Sequence, residues 1–151
     1  MKLAEALIER AEISKKNGQL ISRIKDNAKV QEGDSPSEKP EELIVEYEEN
    51  MKRFLKLVQR INETNCKTLF DNELSIADAI ALRDYLGAKI RAHRNFYESA
   101  TIRMDRYSRN EIKVVSCIDA KDLQKKIDMF SKEYREIDTK LQSINWTIDL
   151  L

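Results

Sequence analysis

Glycine and proline are scarce, three and two residues respectively in a chain of 151. So little punctuation excludes a fold of many short elements joined by tight turns, and it points to a few long helices. Histidine occurs once, at His93. One histidine cannot supply the paired Glu-x-x-His motifs of a di-iron bundle. The chain also lacks a phosphate-cradling glycine loop, a zinc-ligand spacing and a nucleophile elbow. The two cysteines, Cys66 and Cys117, lie far apart and outside any C-x-x-C pattern, which reads as reduced thiols in a cytoplasm. No run reaches the ~20 apolar residues of a membrane span. The N-terminus carries Glu5 and Glu9 where an export signal would need an apolar core. Formal net charge is zero, so no global field draws the protein to nucleic acid or an anionic membrane. These absences set the expectation of a cytoplasmic protein of bacterial type, with no enzymatic activity and no cofactor.

What is present is amphipathic periodicity. Hydrophobic residues make up 41% and are regularly spaced, and charged residues make up 36%. From Ile44 to Asn65 the residues Ile44, Tyr47, Met51, Phe54, Val58, Ile61 and Asn65 recur at spacings of three and four, an apolar seam closed by an asparagine. It lies on a helix predicted over 40–64, entered through Pro40, Glu41 and Glu42. Before it, a helix over 2–30 carries Leu3, Leu7, Ile21, Ile24 and Ala28 on one stripe, flanked by Ile13 and Leu20. Ala4, Ala11 and Gly18 repeat every seventh residue and offer a surface for close helix approach. Residues 31–40 form an acidic linker containing Gly33, Pro36 and Pro40, long for a helical hairpin.

A third helix is predicted over 75–106, opened by the capping pair Ser75 and Asp78. Ala79, Leu86, Ile90, Tyr97, Ala100, Met104 and Tyr107 line its stripe, joined there by Arg83 and His93. A fourth, capped by Asp119, carries the regular seam Ala120, Leu123, Ile127, Phe130, Tyr134, Ile137, Leu141 and Ile144. The β-branched run 112–117 and the alternation of Trp146, Ile148 and Leu150 suggest a small two-stranded ribbon, 112–117 with 146–151. The expected fold is all-α: one helical domain over 1–151, with four long helices in a bundle or in two coiled-coil-like hairpins. Long narrow seams of this kind often continue across subunits, so a homo-oligomer is expected.

Charge is segregated along this neutral chain. Residues 32–49 hold eight acids and one base, whereas residues 83–113 hold eight bases and four acids. The two segments could pair with one another, within a subunit or between subunits. Alternatively, Arg91, Arg94, Arg103 and Arg106, interleaved with Phe96, Tyr97 and Tyr107, form a candidate single-stranded nucleic-acid surface. Asn62, Asn65 and His93 are candidates for a ligand site or an interface. As catalyst, His93 is the weaker reading beside a packed core histidine.

One resemblance spans nearly the whole chain. The opening Met1-Lys2-Leu3-Ala4-Glu5-Ala6-Leu7 and the linker Val30-Gln31-Glu32-Gly33 with Pro36 and Pro40 carry its first half. Ile61-Asn62-Glu63-Thr64-Asn65 and the late Asn145-Trp146 carry its second. As a set they resemble a group of small bacterial helical proteins of unknown function, sometimes labelled septicolysin. The resemblance implies a helical protein without an assigned activity. The label suggests a haemolysin, yet the richest apolar stretch, 76–86, is interrupted by Asp78, Arg83 and Asp84. A self-associating interaction or scaffold protein is therefore the leading expectation, ahead of nucleic-acid binding and of membrane activity.

Overall fold

A computed structural model describes residues 1–101 and 114–151. The protein is all-α, with four long helices: α1 (Leu3–Asn27), α2 (Pro40–Lys67), α3 (Ile76–Ala100) and α4 (Ala120–Thr147). The chain, expected to be one domain over 1–151, groups into two compact units. Met1–Ile76 with Gln142–Leu151 form the first, and Ala77–Leu141 the second. Each is built on a helical hairpin.

In the first unit α1 and α2 run antiparallel. Arg53 donates to Glu9 at 2.9 Å, Lys16 pairs with Glu46 at 2.7 Å, and Arg23 makes a two-pronged bond to Glu38. The linker is tied to the end of α1. The Glu38 amide donates to Asn27 Oδ1 at 3.0 Å, and Gly33 takes the left-handed φ of 91° that spares it a side-chain clash. Two acids of this stretch, Glu38 and Glu46, thus pair with bases of α1, and Glu42 pairs with Lys39 within the stretch.

The seam differs from its sequence reading. The buried residues of α2 are Leu43, Leu57, Ile61 and Thr64, with Tyr47, Asn50 and Phe54 half-buried between them. This line also alternates in threes and fours, one residue round from the predicted stripe. It was hidden because Asn50 and Thr64 interrupt it, whereas the predicted stripe is apolar up to its last residue. Ile44 and Met51, expected inside, are 42% and 40% exposed. A similar rotation affects α1, where Ala6, Ile13, Asn17 and Leu20 are buried and Ile21 is exposed. Gly18 meets nothing within 4 Å of a built Cβ, so it makes no close helix approach.

Thr64 is fully buried because its hydroxyl is fully used. It donates to the Arg60 carbonyl at 2.8 Å and accepts the Leu151 amide at 3.0 Å. Arg60 donates to the Leu151 carbonyl at 2.7 Å. The C-terminal segment then runs back to the start of the chain. Leu3 donates to Ile148 at 2.9 Å and Leu150 to Met1 at 2.9 Å, with Lys2 and Asp149 bridged. This corrects the predicted ribbon. Residues 114–117 carry no strand, 112 and 113 lie outside the described residues, and Trp146 belongs to α4. The alternating tail found its partner at the N-terminus, where Glu5 already caps the Lys2 amide at 2.7 Å.

Between the two hairpins, residues 68–75 close in a tight turn. Leu69 and Ser75 form a bridge, and Asp71 Oδ1 accepts the Glu73 and Leu74 amides at 2.9 and 2.8 Å. In the second unit α3 and α4 are antiparallel, with Arg83 near Asp138, Gly87 against Tyr134 and His93 against Phe130. Leu86, Ile90 and Phe130 form its core, packed by Leu82, Tyr134 and Ile137. All of these but Leu82 lie on the predicted stripes of the two helices. Asp119 caps α4 as predicted, accepting the Lys121 and Asp122 amides at 2.8 and 3.2 Å. The predicted helix over 75–106 is described as far as Ala100; its last residues lie outside the described ones.

Two measurements check this packing. Ile61→Ala should cost about 2–4 kcal/mol in urea unfolding, and Ile44→Ala less than about 1, because only the first opens a cavity. Equal costs would restore the apolar stripe as the seam. Arg23 lowers the pKa of Glu38 from its ordinary 4.5 by hydrogen bonding and, less strongly, by charge. A lowered carboxylate pKa stabilises the fold above the ordinary value, and that gain is lost as pH falls through the folded pKa. Wild type should therefore exceed Glu38→Gln in stability at neutral pH and converge with it only as pH falls through the lowered pKa of Glu38, beneath its ordinary 4.5.

Candidate functional site

Two surfaces carry chemistry that the hairpins do not use internally. The first is the flank of α2 beside its seam. Ile44, Met51 and Leu55 are 42%, 40% and 57% exposed, and Val58 continues the stripe half-buried. Spacings of seven, four and three put these side chains on one face. Met51 reaches the seam only through its sulfur, which receives Asn17 Nδ2 at 3.3 Å. Along the same helix the acids Glu41, Glu42, Glu46, Glu48 and Glu49 precede the bases Lys52, Arg53, Lys56 and Arg60.

The second is a cleft of about 330 Å³ within the α3–α4 hairpin, lined by Gly87, Ile90, Arg91, Arg94, Ser131, Tyr134 and Arg135. Gly87 borders it without a side chain: a Cβ there would lie 3.4 Å from Tyr134 Cε2, in ordinary contact with the ring edge. Three guanidiniums line this cleft and no carboxylate does. An adjoining groove of about 370 Å³ shares Arg94, Ser131 and Arg135 and adds Glu98 and Asp128. One helical turn before the cleft, Arg83 bonds Asp84 at 2.9 Å and Asp138 at 3.3 Å. The Asp84 hydrogen bond leads in raising the Arg83 pKa above its usual value, against the opposing effect of burial.

The sequence-predicted residues distribute as follows. Arg91 and Arg94 line the cleft on α3, whereas Arg103 and Arg106 lie outside the described residues. His93 is half-buried on α3. Its Nδ1 lies 2.8 Å from the Lys89 carbonyl oxygen and its ring centroid 5.2 Å from that of Phe130 in an edge contact. Lys89 Nζ sits 3.8 Å over the same Phe130 ring. His93 thus has the environment of a packed core residue. Asn62 and Asn65 stand on the last turns of α2, exposed and half-buried, in the first unit, while His93 belongs to the second. Cys66 and Cys117 are free and exposed. Sequence reasoning missed Gly87, Tyr134 and Arg135 as lining residues. Only the register of α4 against α3 brings them beside Arg91, and no spacing within either helix signals it.

Among the described residues, no helix is long and apolar enough to cross a membrane. Residues 10–150 match the profile of a family described as "Family of unknown function (DUF6847)". A crystal structure of a functionally unknown conserved protein from Corynebacterium diphtheriae superposes with a TM-score of 0.94. It is 44% identical, and the match covers 100% of this chain and 99% of that one. No curated protein matches the chain.

The helical glycine gives a direct test of the cleft's construction. Gly87→Ala should leave the hairpin intact and stabilise it by roughly 0.5–1 kcal/mol in thermal unfolding, since the new methyl makes ordinary contact with Tyr134 and helix propensity improves. A loss of stability would mean that the Tyr134 ring lies tighter on α3 than this geometry has it.

Proposed function

The chain belongs to the family of unknown function DUF6847, and from that premise we propose that it is a cytoplasmic, non-enzymatic scaffold that acts as a homodimer through α2. The observation that carries this reading is the uncovered stripe Ile44, Met51, Leu55 and Val58 on a helix whose charge is self-complementary end to end. A two-fold axis near Met51 would lay α2 antiparallel on its copy. It would set Ile44 opposite Val58 of the second copy, and each acidic half over a basic half. Glu48 and Lys52, which flank the stripe, make no ion pair among the described residues and would meet across the axis. The exposed Cys66 and Cys117 suit a reducing compartment.

Sedimentation velocity tests it. The wild-type chain should sediment at twice its 17.7 kDa mass, and Leu55→Glu should sediment as a monomer with unchanged helicity. Glu48→Lys should weaken the dimer roughly three- to tenfold through two like-charge pairs, and adding Lys52→Glu should restore it. A concentration-independent monomer would overturn the reading. An intact Leu55→Glu dimer would move the interface away from α2.

A further inference from the structure

The cleft in the α3–α4 hairpin is independent of the α2 face and poses its own electrostatic question. Arg91, Arg94 and Arg135 line one concavity, and none of the three forms a hydrogen bond or ion pair among the described residues. By contrast, Arg83, one turn away, is held by two aspartates. Like charges gathered in a cleft that no carboxylate lines repel, and an anion entering it relieves that repulsion. Guanidiniums present planar paired donors suited to phosphate oxygens. The rest of the lining is apolar or small: the buried Ile90, the ring of Tyr134 and Gly87. Such a floor accepts a flat ring but gives a bare inorganic ion nothing further to bind.

We propose that this cleft binds a nucleoside monophosphate, with its phosphate among Arg91, Arg94 and Arg135 and its base against Tyr134 and Ile90. The cavity, about 330 Å³, is of a size for one small ligand. The adjoining groove argues against a longer strand. Glu98 and Asp128 stand where the next phosphate would have to run, beside Arg94 and Arg135. A polynucleotide needs a continuous basic track, and these two carboxylates interrupt it.

Equilibrium dialysis of the full chain against AMP, adenosine, inorganic phosphate and an oligothymidylate of about twelve nucleotides tests the assignment. AMP should bind more tightly than adenosine or phosphate by about tenfold or more, and severalfold more weakly at high salt. Arg91→Gln and Arg135→Gln should each weaken AMP by roughly five- to tenfold with helicity unchanged by circular dichroism, while Lys125→Gln, away from the cleft, should leave it unaltered. No AMP binding up to about 5 mM, or an equal loss in Lys125→Gln, would overturn the proposal. Tighter binding of the oligothymidylate than of AMP would overturn it in favour of a strand-binding surface.

Discussion

A helix packed against a single neighbour can bury only part of its circumference, and this constraint governs the first unit. Apolar residues of α2 occupy a wide arc from Leu43 round to Leu55. The side holding Leu43, Leu57 and Ile61 is buried, and the remainder, Ile44, Met51 and Leu55, stays open. Apolar area left in water forfeits about 25 cal/mol per Å² that burial would return. An apolar stripe on a monomer is consequently more informative than the core beside it. The α3–α4 hairpin differs in kind. There the core residues Leu86, Ile90 and Phe130 lie on the predicted stripes, and the arginines of the cleft are left without ion pairs among the described residues.

Polar groups fix which side of α2 faces inward. Thr64 lies at the end of the seam with both its hydroxyl bonds made, one to the helix and one to the Leu151 amide. A valine there would leave that amide without its partner, and an unsatisfied buried donor costs about 1–3 kcal/mol. Further along, Asn17 Oδ1 and Asn50 Nδ2 are buried without hydrogen-bond partners among the described residues. Polar residues within a helical seam trade stability for register. Here Asn17 engages Met51 through its amide nitrogen, which links the seam to the exposed stripe. The seam is thus weakest in its middle and strongest where the chain end docks.

The sequence made the four helices, the Asp119 cap and the α3–α4 core readable, because in those stretches periodicity, propensity and capping agree. It misplaced the α2 seam because two helical lines on one helix share the same spacing. The less apolar line won through partners distant in sequence, namely α1 and the C-terminus. The ribbon failed for a related reason. Alternation in 146–151 announces extended backbone with one buried face but does not name its partner, and the partner proved to be residues 1–3. Of the candidate site, Arg91 and Arg94 were legible as free bases on one helix. Arg135 was not, since it sits on the charged face of α4 beside a core tyrosine and acquires meaning only across the hairpin.

Neutrality proves to be a sum of unlike parts. Of the acids of 32–49, Glu38 and Glu46 pair with Arg23 and Lys16 on α1, and Glu42 with Lys39, all within the first unit. On α3 and α4 the aspartates are then spent unevenly. Arg83 holds Asp84 and Asp138, while the arginines lining the cleft hold none. Net charge therefore says little about the local potential, which is set by which pairs the folded register allows. The same register that seats Tyr134 on Gly87 excludes carboxylates from the cleft, so its shape and its charge have a single structural origin.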